Sequence, residues 1–123
     1  MSQWNRESRV EWLKKSLSER IVLLDGGMGT MIQQVGLSES DYRGNEFADW
    51  SSDLKGNNDL LALTQPSLIT QIHQQYLAAG SDIIETNTFN TNAPSMGDYG
   101  MTDLVVRVNK EAAQLARVVC DEA

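Results

Sequence analysis

Two short stretches of the chain concentrate the groups that could do chemistry. Asp25-Gly26-Gly27-Met28-Gly29-Thr30 follows a run of apolar residues, and Glu85-Thr86-Asn87-Thr88-Phe89-Asn90 follows Ile83-Ile84. A carboxylate such as Asp25 suits a substrate ammonium group, and the glycines beside it let a ligand approach the backbone closely. By strand alternation residues 21, 23 and 25 share one face. Asp25 then projects at the C-terminal end of its strand, where open α/β sheets and (β/α)8 barrels bind ligands. The same residues also describe a tight turn capped by an aspartate, and both readings stand. In the second stretch the switch from apolar to polar suits a strand whose last residues reach a solvated mouth. Alternation sets Glu85 and Asn87 on one face and Thr86 and Thr88 on the other, with the inward face open. A strand end bonding its own loop is the plain alternative for the Thr-Asn pair.

Other chemistries fit less well. Gly27-x-Gly29 begins a dinucleotide fingerprint, but Ile32 stands where the third glycine belongs. No acidic residue ends a second strand about twenty residues later, and no phosphate-binding G-x-x-x-x-G-K-[ST] occurs. His73, between Ile72 and Gln74 in a helical pattern, reads as a surface or capping group. Cys120 reads as a buried structural thiol. As the single cysteine, it excludes an intrachain disulfide and any multi-cysteine metal cage supplied by this chain alone. Ten Lys+Arg against seventeen Asp+Glu give a net charge of -7 over 123 residues. A phosphate-backbone binder needs a basic face, so no nucleic-acid partner is expected. With 41% hydrophobic and 22% charged residues, a globular chain is expected rather than a disordered, collagenous or coiled-coil one. No apolar run approaches the roughly 18 residues of a membrane span. The N-terminus, Met1-Ser2-Gln3-Trp4-Asn5-Arg6, is polar and lacks a signal-peptide stretch. The expectation is a cytoplasmic protein with no membrane partner.

The elements that must position these residues follow from periodicity. Residues 8–20 place Val10, Leu13 and Leu17 at helical spacing, with Trp12 beside them and charges elsewhere, as in an amphipathic surface helix. Residues 21–24 are apolar throughout, which suits a strand buried on both faces of a parallel sheet. Residues 34–63 are irregular and polar. So long a connection either lids a site or carries short elements of its own. Pro66 fits a first helical turn, Leu68, Ile69, Ile72, Tyr76 and Ala79 share one helix face, and Gly80 ends it in the left-handed region. Residues 82–89 read as a second strand. Residues 102–122 read as a last helix aligning Leu104, Val105, Val108, Ala112, Leu115, Ala116 and Val119. A strand, a crossover helix and a second strand make a parallel pair with helices covering its faces. Two such strands leave unpaired edges. The expectation is therefore an α/β fold that opens something larger, poorly folded alone, with its other strands supplied beyond this sequence or by another chain.

The residues now on the page resemble a known family. Leu24-Asp25-Gly26-Gly27-Met28-Gly29-Thr30-Met31-Ile32-Gln33, Tyr42-Arg43-Gly44, Phe47-Ala48-Asp49-Trp50, Asp53-Leu54-Lys55-Gly56-Asn57-Asn58-Asp59-Leu60 and Ile84-Glu85-Thr86-Asn87-Thr88-Phe89-Asn90 occur in order. The first points to the wider homocysteine S-methyltransferase family. The third and fourth point more narrowly to the N-terminal homocysteine-binding module of cobalamin-dependent methionine synthases. The resemblance covers about residues 17–122 and implies that residues 1–123 are an incomplete N-terminal part of a (β/α)8 TIM-type barrel, its N-terminal helix and first two βα units. It implies homocysteine at the barrel mouth, its thiol bound to zinc, which lowers the thiol pKa so that a thiolate exists near neutral pH. It further implies a methyl group taken from methylcobalamin on another module of the same polypeptide, recharged from methyltetrahydrofolate, with S-adenosylmethionine for reactivation. Carried over by position, Asp25 helps hold the homocysteine amino group and Gly26 and Gly27 form a backbone-contact turn. Thr86, Asn87 and Asn90 line the pocket. The family's zinc cysteines lie in a Cys segment and a Gly-Gly-Cys-Cys segment on later strands, and neither occurs here. This segment alone is thus expected to bind no cofactor and to be inactive. The alternative is a non-catalytic truncated product with at most weak homocysteine binding.

Overall fold

A computed structural model describes residues 5–123; residues 1–4, part of the polar N-terminus noted above, lie outside the described residues. The first helix, α1 (Arg6–Glu19), starts where Asn5 and Ser8 cap each other, each backbone N–H reaching the other's side-chain oxygen at 2.9 Å. Its amphipathic pattern is lightly used: Ser16 is its buried residue, and Val10 and Leu17 stay exposed. The Arg20 guanidinium sits 5.8 Å from the Trp12 ring centroid. It also forks onto Asp82, with Nη1 and Nη2 each 2.9 Å from a carboxylate oxygen.

That fork aligns the two segments expected as strands. Asp82 Oδ2 also accepts the Leu23 N–H at 2.9 Å, and Leu23 O accepts the N–H groups of Asp82 and Ile83 at 2.8 and 3.1 Å. Leu24 and Ile83 form a parallel bridge, and Asp25 N–H continues the pairing to Ile83 O at 3.0 Å. The pairing is therefore parallel, but among the described residues it amounts to this one bridge. Among the described residues neither segment pairs with another, and Ile21, Leu23 and Leu24 remain 81%, 51% and 58% exposed. The expected second strand also ends early. From Thr86 onward the backbone curls into turns, with Thr88 N–H on Thr86 O at 2.9 Å and Thr91 N–H on Thr88 O at 3.2 Å.

Seven α-helices are described. After α1 come α2 (Met28–Val35), α3 (Glu39–Arg43), α4 (Leu61–Thr64), α5 (Pro66–Ala78), α6 (Ala93–Gly97) and α7 (Val105–Glu122), with 3-10 turns at Asn58–Leu60 and Thr102–Leu104. Pro66 opens α5, and Gly80 after it takes φ 113°. The core gathers Ile32, Tyr42, Phe47, Leu54, Leu60, Leu61, Ile69, Ile72, Met96, Met101 and Val108, where α4, α5 and α7 pack on one another. His73 belongs to this interior. It is fully buried in α5, not at the surface, because it lies on the same face as Ile69 and Ile72. Cys120 is only partly buried, near the end of α7.

The irregular 34–63 stretch carries short elements and is organised by two side chains. The Glu39 carboxylate accepts the Leu54 N–H at 2.8 and 2.9 Å, the Lys55 N–H at 2.9 Å and Arg43 Nε at 2.7 Å. Arg43 in turn donates to the carbonyls of Ala48, Trp50 and Ser52 at 3.3, 2.7 and 3.0 Å. Desolvation pushes the Glu39 pKa up, but these N–H groups and the Arg43 charge leave it below the ordinary range. Gly44, which ends α3, has φ 59° and ψ -158°, a region essentially reserved for glycine. A Cβ there would meet Thr64 Cβ at 3.3 Å.

Two outcomes follow for the full-length protein. Gly44→Ala should lower its stability to urea by about 1–3 kcal/mol, through backbone strain at a glycine-only conformation. An unchanged midpoint would show that the turn relaxes freely. Arg20 and the Leu23 N–H hold the Asp82 carboxyl down from 3.8 to about 2. A depressed carboxylate contributes stability that is complete above about pH 4 and lost as pH falls toward the folded value. Asp82→Asn should therefore flatten the acid limb of the urea midpoint below about pH 4, and an identical limb would remove this pair as its source.

Candidate functional site

The parallel pair delivers Asp25 to the edge of a cleft of about 490 Å³. Asp25, Gly26, Gly27, Thr86, Asn87 and Asn90, drawn from two stretches far apart in sequence, all line it. Asp25 is fixed by a bond that extends the pairing: its Oδ2 accepts the Glu85 N–H at 3.0 Å, one step beyond its own N–H on Ile83 O. The carboxylate thus does the work of a backbone carbonyl at the last rung while its charge remains at the cleft.

The glycine turn is held from below. Tyr76, on α5, donates its hydroxyl to Gly27 O at 2.8 Å. A Cβ on Gly26 would lie 3.1 Å from both the Tyr76 Cε1 and hydroxyl, so glycine is what lets the ring support the turn so closely. Gly27 is also the N-cap of α2 and provides no side-chain cap. The first-turn N–H groups of α2, a helix not foreseen from the sequence, therefore begin at the cleft beside Met28 and Gly29.

In the second stretch that lines the cleft, the expected alternation of residues 85–88 lapses because the strand has ended. Asn87 is buried, at 5% exposure, while Glu85 and Thr86 are exposed. Its amide nitrogen donates to Asn58 O at 2.8 Å, and the Thr86 and Thr88 hydroxyls meet at 2.7 Å. Asn90 donates its backbone N–H to Asp59 Oδ2 at 2.7 Å. Asn57, Asn58 and Asp59 line the cleft too, although the sequence reading did not name them as site residues. Their signal was there, in a polar Asn-Asn-Asp run directly before the apolar Leu60-Leu61. Tyr42 steadies this turn by donating its hydroxyl to Asn58 Oδ1 at 2.7 Å. Burial pushes the Asp59 carboxyl up, against the Thr91 hydroxyl and Asn90 N–H that favour its ionised form.

The charged side chains lining the cleft are Asp25, Asp59, Glu85 and Asp98, all acidic. Acidic side chains and a helix N-terminus lining one cleft can take a molecule that carries both an ammonium and a carboxylate group. His73 lacks a hydrogen-bond partner on either ring nitrogen. Burial pushes its pKa down, with the Asp25 charge opposing, which keeps the imidazole neutral at physiological pH. Among the described residues no group of three His, Cys, Asp or Glu could hold a metal ion. Cys120 is not part of the cleft lining. The donor set described here therefore does not fit zinc. No described helix is long and apolar enough to cross a membrane.

The family model described as homocysteine S-methyltransferase matches residues 22–123, from the first extended segment through α7 and including every residue that lines the cleft. The chain belongs to the homocysteine S-methyltransferase family, a family of methyltransferases.

Proposed function

We propose that this cleft binds homocysteine as the methyl acceptor and that the chain is the N-terminal part of the homocysteine-binding barrel of a cobalamin-dependent methionine synthase. The observation that carries the reading is the meeting, in one cleft, of the Asp25 carboxylate and the uncapped start of α2. In this reading Asp25 receives the amino group of homocysteine. The Gly26-Gly27 turn and the first N–H groups of α2 receive its carboxylate, and the wall at Thr86, Asn87 and Asn90 bounds the rest. The segments Phe47-Ala48-Asp49-Trp50 and Asp53-Leu54-Lys55-Gly56-Asn57-Asn58-Asp59-Leu60 favour the cobalamin enzyme within the family. The exposed Ile21, Leu23 and Leu24 favour a barrel, whose neighbouring strands and helices would cover them. Zinc, cobalamin, methyltetrahydrofolate and S-adenosylmethionine belong, on this view, to other parts of a cytoplasmic polypeptide. Residues 1–123 contribute recognition and orientation of the acceptor.

Asp25→Asn tests the assignment in the full-length enzyme, because an amide oxygen still accepts the Glu85 N–H while the charge is lost. The homocysteine KM should rise roughly ten- to hundredfold, from the about 1.5–3 kcal/mol of a hydrogen bond to a charged group. An unchanged KM would take Asp25 out of the substrate site.

A further inference from the structure

We infer that Asp59 is a positioning residue for the acceptor: its buried carboxylate holds the 87–91 turn in the shape the homocysteine cleft requires. This rests on the function proposed above. Asp59 is 4% exposed, and its Oδ2 accepts both the Asn90 N–H and the Thr91 hydroxyl at 2.7 Å. It thereby ties the 3-10 turn at Asn58–Leu60 to residues 31 and 32 positions further along the chain. A second tie runs beside it, from the Asn87 amide to Asn58 O. On the other side, Asn109 of α7 donates to Thr91 O at 3.1 Å. The turn is clamped between α7 and the Asp59 turn, and Asn87 and Asn90 are themselves cleft walls.

A buried carboxylate is an expensive anchor. Removing its charge from water costs more than burying a neutral side chain that could accept the same bonds. The ionised group returns shorter, stronger bonds, and stiffness of that kind has a use where the held backbone bounds a ligand. Asp59 also borders the cleft, but its Oδ2 is taken by the Asn90 N–H and the Thr91 hydroxyl, so its effect runs through them and should appear in acceptor binding and leave the methyl-transfer step alone.

The test uses the full-length protein, with two readouts on Asp59→Ala and Asp59→Asn. Hydrogen exchange at the Asn90 amide should quicken about tenfold or more in Asp59→Ala, without any ligand present. The homocysteine KM should rise about tenfold in the same variant, with kcat held within about twofold. Asp59→Asn, which keeps an acceptor oxygen, should restore part of both. Unchanged exchange at Asn90, unchanged KM, or a fall in kcat equal to that in kcat/KM would each overturn the proposal. If Asp59→Ala does not fold, the same readouts on Asp59→Asn decide it. A wild-type protein that binds no homocysteine would sink the proposed function and this substrate role with it. Exchange at Asn90 would then still report whether Asp59 anchors the turn.

Discussion

Residues 44–55 form almost no regular structure, so their backbone polar groups must find partners among side chains or water. Glu39 and Arg43, one turn apart on α3, meet much of that demand. One is a pure acceptor facing two N–H groups, and the other is a planar donor facing three carbonyls. Their own ion pair closes the network at 2.7 Å. With the stretch held this way, Phe47 and Leu54 can be buried and the chain arrives at Asn57, Asn58 and Asp59 in a defined place. Those residues in turn support the far wall of the cleft. The binding region thus depends on a pair that touches none of it.

Much of the framework was legible because long periodic patterns dominate local alternatives. The helices at 66–78 and 105–122 match the apolar stripes read from the sequence, and the parallel sense of the 21–25 and 82–85 segments follows from the crossover between them. Asp25 stands out in the sequence as a carboxylate beside glycines at the end of an apolar run, a pattern a capped turn shares, and Asn90 is singled out by the family resemblance; both line the cleft. The misses have equally physical causes. α2 starts with two glycines in its cap and first turn, residues that argue against a helix by propensity. His73 reads as a surface or capping group because a lone histidine in a helix usually is one, whereas its place on the Ile69–Ile72 face decides its burial. The second strand was drawn too long because Thr86 and Thr88 favour strands, yet their hydroxyls bond to each other across a turn.

The site joins pieces with opposite electrostatic character. The charged side chains of its lining are all acidic, and the positive counterpart is supplied by backbone at the start of α2. That division is economical in mobile parts: peptide dipoles stay where the fold puts them, whereas a lysine would bring rotamer freedom that binding must freeze. Tyr76 extends the same logic by linking α5 directly to the backbone of the glycine turn.

The Arg20–Asp82 fork lies at the opposite end of the paired segments from the cleft, yet it acts as their index mark. Strand side chains alternate with a period of two, so sliding one segment by a single residue reverses every face. With one bridge between them among the described residues, the segments have little ladder of their own to resist such a slip. Asp82 pins Leu23 and Arg20 together, and Asp25, two residues beyond Leu23, inherits that setting. A surface ion pair in this molecule thus serves as a calibration device for the register that brings Asp25 to the cleft, where the Glu85 N–H fixes its carboxylate.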